Sequence, residues 1–196
     1  FCEKLLREIK SVKGSGLPLT RPNSMNKSGL LLDDVGFTKF FDEFRTKYLQ
    51  PICDSTFPDL GFTDLDTHRA FIVHYKADDN EEFDRGLDNH YDNAELTLNV
   101  SLSATHEGGE LVFDGFKREP PGSSGALLAC EHRSGHGILH RGDHIHRALP
   151  IESGERWNLI LWLRSSEHRN RDCPMCGEIP DLSEVASGSY GDGFTI

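Results

Sequence analysis

The sequence has no apolar run long enough to cross a membrane and no stretch with the layout of a signal peptide. We therefore expect no membrane span. The sequence begins with Phe1 rather than methionine, so we expect it to be a fragment of a longer chain, and that expectation is compatible with an upstream targeting segment. Internal repeats and low-complexity tracts are also lacking, which argues against a repeat array.

Cysteine and positive charge are both scarce. Five cysteines are an odd number and form no dense framework, so we expect a reducing compartment, the cytoplasm or the nucleus. The 21 Lys and Arg residues stand against 32 Asp and Glu residues, which gives a formal net charge of -11. A chain this acidic does not bind nucleic-acid phosphates through its overall charge, so no nucleic-acid partner is expected.

The length of 196 residues suits one structural domain with a sizeable core. We expect a helical support over residues 1–68, a β core over residues 69–165 and a tail over residues 166–196. The support begins with a short helix over residues 1–13 and a loop over residues 14–29. A second helix, ending near Pro51, is expected to pack an aromatic stripe against a sheet. The stripe comprises Phe37, Phe40, Phe41, Phe44, Tyr48, Leu49 and Ile52.

From Arg69 onward the periodicity changes from helical to extended. Residues 70–75 and 137–140 are strand-like, and residues 96–103 alternate strictly between apolar and polar side chains. Residues 157–163 also divide into two faces, with Trp157, Leu159, Leu161 and Leu163 on one of them. A polar strand face either meets water or lines a cavity that holds a ligand. Arg156 has the same parity as Asn158 and Trp162, which favours the cavity and places the apolar faces against the Phe-rich helix.

Four residues stand out by their types and spacing: His90, Asp92, His146 and Arg156. His90 and Asp92 are two apart, so both side chains point the same way on an extended segment. Two histidines and one carboxylate can cover one face of an Fe(II) ion and leave the opposite positions open. Arg156 follows the second histidine by ten residues and offers a fixed fork of donors for a carboxylate. A His-x-Asp alone is typical of a surface turn, so the prediction depends on the joint pattern.

This joint pattern resembles the 2-oxoglutarate- and Fe(II)-dependent oxygenases, and within them the prolyl and lysyl hydroxylase branch. The matching segments, in chain order, are His90–Asp92, Leu96–Val100, Gly108–Phe113, His146–Pro150 and Arg156. Three flanking segments narrow the resemblance to the 2-oxoglutarate and iron-dependent oxygenase domain-containing protein 2 subfamily. These are Arg21–Asn26, Cys173–Cys176 and Asp192–Phe194, so the resemblance extends from about Arg21 to the C-terminus.

The resemblance implies a mainly β fold with flanking helices, a double-stranded β-helix of the jelly-roll or cupin type. It implies that His90, Asp92 and His146 hold Fe(II), with 2-oxoglutarate and O2 in the remaining positions. Mn, Ni or Zn are expected to substitute inertly, and ascorbate is the expected reductant. Arg156 is expected to hold the distal carboxylate of 2-oxoglutarate. Four further residues are expected around the cosubstrate: Tyr75, Asn99, Ser101 and Trp162.

The expected reaction is hydroxylation of a lysine or proline side chain in a protein or peptide, with release of succinate and CO2. Two alternatives stay open, the same chemistry on a small molecule and a non-catalytic metal-binding barrel. Residues 77–89 form a candidate flexible loop that covers the site and attracts a basic peptide, although an ordinary solvated loop has the same pattern. Its acids are Asp78, Asp79, Glu81, Glu82, Asp84 and Asp88.

Two further ambiguities concern histidines and cysteines. His140 and His144 compete with His146 for the ligand role, and we choose His146 because its spacing to Pro150 and Arg156 matches the family; His140 is expected to be structural. The pair Cys173 and Cys176 is expected to form a reduced turn. A disulfide or a zinc site are the alternatives, with His168 and Cys130 as conceivable zinc partners.

Overall fold

A computed structural model describes residues 1–61, 64–78, 82–103, 105–119 and 127–181. Two acids of the predicted loop, Asp79 and Glu81, and the motif at residues 192–194 lie outside the described residues. Within the described ranges, no helix combines the length and the apolar character needed to cross a bilayer.

Within these ranges, ten strands form two antiparallel sheets. The strands are β1 (Gly29–Leu31), β2 (Thr67–Lys76), β3 (Leu87–His90), β4 (Leu96–Ser101), β5 (Thr105–Gly108), β6 (Leu111–Phe116), β7 (Leu128–Cys130), β8 (Gly137–Arg141), β9 (His144–Ala148) and β10 (Ile151–Arg164). The larger sheet has the order β1-β2-β10-β4-β8, with β5 also paired to β10, and the smaller has the order β3-β9-β6-β7. Strand β10 is central because it pairs with β2, β4 and β5. The mainly β architecture predicted from the alternating segments is confirmed.

The helices cover the outer side of the larger sheet. They are α1 (Cys2–Gly14), α2 (Thr38–Phe44), α3 (Gln50–Thr56) and α4 (Ser166–Arg171). One apolar core joins α1, α2 and α3 to the sheet and includes Leu5, Phe41, Leu96, Leu159 and Leu161. The strand parity is therefore confirmed, because the leucines of β4 and β10 face the helices while the polar residues face inward.

The aromatic stripe behaves differently from the prediction in two ways. The helix does not end at Pro51, since a π-helical turn over Arg45–Leu49 leads directly into α3. A proline inside a regular helix has no N–H to donate and clashes with the carbonyl four residues before it. In the first turn of a helix such as α3, the N–H has no partner within the helix, so a proline is tolerated there. The widened turn also changes the phase of the stripe. Tyr48 and Ile52, which lie in and after the widened turn, are exposed rather than packed against the sheet, and Phe40 in α2 is exposed as well.

The predicted acidic loop is shorter than the sequence suggested. Its last residues form β3, where Leu87 pairs with Ala148 and His90 pairs with His146. Asp84 is also held in place, because the Lys76 backbone N–H donates to its carbonyl at 3.0 Å. Pairing with a distant strand overrides the loop-like local composition.

Candidate active site

Strand pairing brings the predicted metal ligands together. His90 ends β3 opposite His146 of β9, and Asp92 follows two residues later. Their ligand atoms all lie within 4.8 Å of one another. The Nε2 atoms of His90 and His146 are each 3.8 Å from an Asp92 carboxylate oxygen. Among the described residues, this is the one group of three or more side chains able to hold a metal ion.

The histidine tautomers are set by backbone carbonyls. His90 Nδ1 lies 2.8 Å from the Asp88 carbonyl oxygen, and His146 Nδ1 lies 2.8 Å from that of His144. A carbonyl oxygen can only accept, so each Nδ1 carries a proton, and in the neutral form of each ring Nε2 keeps a lone pair. Both lone pairs are thus available on the side of Asp92, which is the state that a metal requires.

The protonation states also suit metal binding. Burial alone raises the pKa of Asp92, but the neighbouring His146, His140 and His90 and a hydrogen bond from Thr97 lower it below its ordinary value. That bond is short, at 2.6 Å from Thr97 Oγ1 to Asp92 Oδ2. Burial lowers the pKa of His146 to about 4 against the opposing effect of Asp92. An ionised carboxylate beside a neutral imidazole is therefore present at neutral pH.

The two competing histidines lie nearby but have other surroundings. His140 on β8 donates from Nδ1 to the Arg141 carbonyl at 2.9 Å, and its ring packs against that of His146 at 4.7 Å. Its Nε2 is 3.9 Å from Asp92 Oδ2 and has no hydrogen-bond partner in the described chain. His144 Nε2 is instead 2.8 Å from the Asp114 carbonyl oxygen. The geometry thus favours His146 as the third ligand, with His140 beside the group.

Arg156 is enclosed near this group on the inner face of β10, and only 1% of it is exposed. One guanidinium nitrogen, Nη1, donates to the Gly109 carbonyl, and the guanidinium lies over the Tyr75 ring, 4.6 Å from its centroid. Gly109 has φ +78°, and a Cβ there would lie 2.6 Å from Ile151 Cγ2 and 3.0 Å from Arg156 Nη1. The glycine therefore lets its backbone approach the arginine closely.

The buried charge of Arg156 lacks a carboxylate partner. Nε has no hydrogen-bond partner, and the described residues place no carboxylate within ion-pair distance. Burial lowers the pKa of Arg156 from its ordinary value, although the guanidinium stays protonated. A buried unpaired cation is costly unless a ligand supplies the opposite charge. The residues therefore fit a carboxylate ligand.

One cavity joins Arg156 to the three-ligand group. Its wall also includes three of the predicted cosubstrate residues, Tyr75, Asn99 and Trp162. The structure does not bring the fourth, Ser101, into this cavity, because the Ser101 hydroxyl donates to the Ser103 carbonyl at 2.9 Å. A shared wall of apolar side chains comes from both sheets and includes Phe71, Leu111, Ala148 and Ile160.

Four polar residues of the site were missed by the sequence interpretation. Asn158 donates to Asn99 Oδ1 at 2.6 Å, and His132 lies 3.0 Å from the Asn99 carbonyl oxygen. Thr97 orients Asp92, and Asn26 lies 3.2 Å from the Tyr75 hydroxyl. The parity of Thr97 and Asn158 was a usable signal. The position of His132, in a loop, had none.

The cysteine pair forms a turn. Cys173 N donates to the Glu178 carbonyl at 2.9 Å, Gly177 N donates back to the Cys173 carbonyl at 2.7 Å, and both thiols are free. In the described ranges, His168 and Cys130 do not join them in a group of potential metal ligands. Lys117 Nζ donates to the Pro174 carbonyl at 3.0 Å and fixes the turn to β6.

Sequence relatives share the whole length of this chain. A 2-oxoglutarate and iron-dependent oxygenase domain-containing protein 2 of Xenopus tropicalis is 48% identical over 196 residues, which are 100% of this chain and 54% of that protein. The Homo sapiens protein of the same name is 45% identical over 196 residues, again 100% of this chain and 54% of the relative. The chain thus spans about half the length of these curated relatives. An OGFOD2-like domain model matches residues 1–62.

The fold has relatives among solved structures. A prolyl-4-hydroxylase from Pseudomonas putida superposes with a TM-score of 0.50 and 17% identity, covering 83% of this chain and 85% of that one. This likeness concerns the fold, and it confirms the jelly roll that the resemblance implied. The sequence relatives confirm the resemblance: over its whole length this chain is similar to 2-oxoglutarate and iron-dependent oxygenase domain-containing protein 2 sequences.

Proposed function

We propose that this chain carries the active site of a dioxygenase that uses Fe(II), 2-oxoglutarate and O2 to hydroxylate a lysine or proline side chain of a protein or peptide. Succinate and CO2 are the co-products, and ascorbate is the reductant. The observation that carries the proposal is that a three-ligand group and a buried arginine without a carboxylate partner share one cavity. A merely structural metal has no use for such an arginine.

The ligand roles follow from the geometry. His90 and His146 would donate their Nε2 lone pairs, and Asp92 one carboxylate oxygen, to Fe(II). When bound, the metal with 2-oxoglutarate and O2 supplies the oxidising power to hydroxylate an unactivated C–H bond. Thr97 holds one Asp92 oxygen at 2.6 Å and so restricts rotation of that carboxylate.

The cosubstrate role belongs to the arginine side of the cavity. Arg156 would pair with the distal carboxylate of 2-oxoglutarate, using Nε, which has no acceptor in the described chain, with the Tyr75 hydroxyl beside it. Trp162 packs edge-on against Phe71 at 4.9 Å and closes the wall with apolar surface. Apolar walls exclude water and strengthen the ion pair inside.

A basic substrate segment is part of the proposal. Asp88 is exposed two residues before His90, and Glu82 is exposed earlier in the same stretch. Asp78 pairs with Lys76 at 2.7 Å, and Asp84 accepts a backbone N–H at 2.7 Å. Exposed acids beside the site would speed the encounter with a Lys- or Arg-rich peptide, an effect that declines with salt.

The proposal is tested by turnover. The chain would be incubated with Fe(II), 2-oxoglutarate, ascorbate and O2, with succinate followed by NMR and lysine- or proline-containing peptides followed by mass spectrometry for a gain of one oxygen. His146→Ala should abolish both signals. His136→Ala, a change at an exposed histidine, is the matched control and should leave both unchanged.

Two outcomes would contradict the proposal. Equal succinate release by wild type and His146→Ala would remove the metal-ligand assignment. Succinate release with a small molecule but with no peptide would replace the protein substrate by a small one. For the charge of the substrate, Glu82→Gln with Asp88→Asn should reduce the salt dependence of peptide turnover.

A further inference from the structure

A segment from the N-terminal part of the chain forms one wall of the cosubstrate cavity. Asn23, Met25 and Asn26 line it together with Tyr75 and Arg156. Asn26 is 1% exposed, and its side-chain amide lies 3.2 Å from the Tyr75 hydroxyl oxygen. The segment matched the subfamily by sequence alone, and no role in chemistry followed from that match.

The direction of the Asn26–Tyr75 hydrogen bond can be deduced from the backbone. The N–H groups of Met25 and Asn26 lie 2.9 Å and 2.8 Å from one atom of the Asn23 side chain. A backbone N–H only donates, so that atom is the Asn23 oxygen, and the Asn23 nitrogen is the donor to Asn26 Oδ1 at 3.0 Å. The remaining Asn26 atom is therefore its NH2 group, which donates to Tyr75.

This direction constrains the Tyr75 hydroxyl. Its oxygen accepts from Asn26, so its own proton must point elsewhere, and the described residues provide no acceptor for it. The cationic guanidinium of Arg156 lies 4.6 Å from the Tyr75 ring centroid and cannot accept either. A hydroxyl donor and a guanidinium donor thus stand side by side in a buried cavity, and together they match one carboxylate.

We propose that Asn26 is a positioning residue for the cosubstrate, whose amide turns the Tyr75 hydroxyl proton toward the distal carboxylate of 2-oxoglutarate beside Arg156. The inference rests on the proposed function. Asn26 does not touch the cosubstrate in this arrangement but acts through Tyr75.

The segment is fixed well enough to do this. Arg21 donates to the Asn26 carbonyl from Nε at 3.3 Å and from Nη2 at 3.0 Å. On the other side, Lys27 N donates to Asp84 Oδ2 at 2.7 Å. The backbone that carries the Asn26 side chain is therefore held on both sides, so little ordering is required when the ligand binds.

A double-mutant cycle tests the inference. 2-Oxoglutarate would be titrated calorimetrically into Mn(II)-loaded wild type, Asn26→Ala, Tyr75→Phe and the double variant. Asn26→Ala should weaken binding about 10- to 100-fold, the factor expected for one hydrogen bond to a charged group. Tyr75→Phe should weaken it similarly, and the double variant should bind no more weakly than Tyr75→Phe, because Asn26 acts through the hydroxyl. Ser24→Ala, an exposed position on the same segment, is the control and should match wild type.

The outcomes separate this inference from the proposed function. Absence of 2-oxoglutarate binding by wild type would contradict the proposed function itself. Normal wild-type binding with an unchanged Asn26→Ala affinity, or with losses that add in the double variant, would overturn the role of Asn26 alone. If Asn26→Ala does not fold, Asn26→Asp replaces it in the experiment. The aspartate side chain has the same shape as asparagine, but it can only accept hydrogen bonds and cannot donate to Tyr75. It should weaken binding at least as much, and equal binding would again overturn the inference.

Discussion

Among the residues that the structure describes, two arginine side chains, Arg156 and Arg169, are fully enclosed, and their partners differ. Arg169 on α4 donates from Nη1 and Nη2 to Asn93 Oδ1 at 2.9 Å and 2.7 Å, and its Nε lies 3.3 Å from the Glu95 carboxylate. Arg156 instead donates to the Gly109 carbonyl and lies over the face of the Tyr75 ring, and its Nε is unpaired within the described ranges.

The difference fits a structural role for Arg169 and the proposed ligand-binding role for Arg156. Arg169 and Glu95 compensate each other, and together they tie α4 to the residues that follow Asp92. Arg156 is equally buried, yet the described residues place no carboxylate at ion-pair distance from it, and its Nε has no hydrogen-bond partner there. A charged side chain is not a candidate for ligand binding merely because it is buried. It becomes a candidate when its buried charge is unpaired and lines a cavity.

The largest expected effect is on the structural arginine. Arg169→Ala leaves the Glu95 carboxylate buried without its cation, which should lower the free energy of unfolding by roughly 3–5 kcal/mol. Arg171→Ala is the matched control on the same helix, because its ion pair with Glu167 is exposed. Urea denaturation at pH 7 measures both. If Arg169→Ala lowers the free energy of unfolding no more than Arg171→Ala does, Arg169 has no larger structural role than an exposed arginine, and the contrast with Arg156 fails.

Gly109→Ala should affect both stability and ligand binding. A side chain at φ +78° is strained by roughly 1–3 kcal/mol, and the new Cβ would press on Ile151 and on Arg156 Nη1. Gly135→Ala, at φ +79° with open space around it, carries the same backbone strain without these contacts. Both variants should therefore lose stability, but only Gly109→Ala should also weaken 2-oxoglutarate binding in a calorimetric titration. If both variants bind 2-oxoglutarate with equal affinity, Gly109 has no role in shaping the binding site.

Arg156→Lys should bind 2-oxoglutarate about tenfold more weakly than wild type, which corresponds to about 1.4 kcal/mol, because one ammonium replaces a planar fork of donors. Its free energy of unfolding should stay close to that of wild type. The apparent affinity from succinate release, checked by direct titration, measures the change. An affinity equal to that of wild type would show that charge alone, without the fork, is sufficient.

The smallest expected effect is a pH dependence near Arg156. Burial, with Arg156 as the next cause, lowers the pKa of His132 to about 4. As pH falls, the unfolded chain takes up this proton first, near the ordinary pKa of about 6.5, so stability is lost between about pH 6.5 and pH 4. The slope per group is at most about 1.4 kcal/mol per pH unit. His74, also lowered to about 4, adds to it.

Arg156→Met should therefore reduce this slope by removing the positive charge beside His132. Chemical denaturation at several pH values between 4 and 7 would measure it. A slope unchanged between wild type and Arg156→Met would mean that burial alone sets the titration of His132.

The sequence predicted those parts of the site that depend on spacing and parity. Alternation placed Asn158 and Arg156 on the inner face of one strand, and motif spacing selected His146 over its neighbours. The rest depends on which distant segments meet. Ser101 had the right parity, but its hydroxyl is used by Ser103, and Asn26 reaches Tyr75 from 49 positions earlier in the chain. Neither contact leaves a periodic signal in the local sequence.

The exposure of part of the aromatic stripe also depends on a feature that leaves no periodic signal in the sequence. Helical spacing alone placed Tyr48 and Ile52 on the buried side, but the π-helical turn that accommodates Pro51 changed the phase between the two helices. A single extra residue in a helical turn cannot be read from apolar periodicity, although the proline indicated where the regular pattern would be disturbed.

The role of Arg156 is tested most directly by one pair of titrations, 2-oxoglutarate into Mn(II)-loaded wild type and Arg156→Ala, with the free energy of unfolding measured for both. If Arg156 is held unpaired for the cosubstrate, wild type binds, and the variant binds about 10- to 100-fold more weakly while remaining about as stable. Equal affinity for 2-oxoglutarate, or a variant that loses its fold as Arg169→Ala should, would contradict the assignment of Arg156 to a ligand.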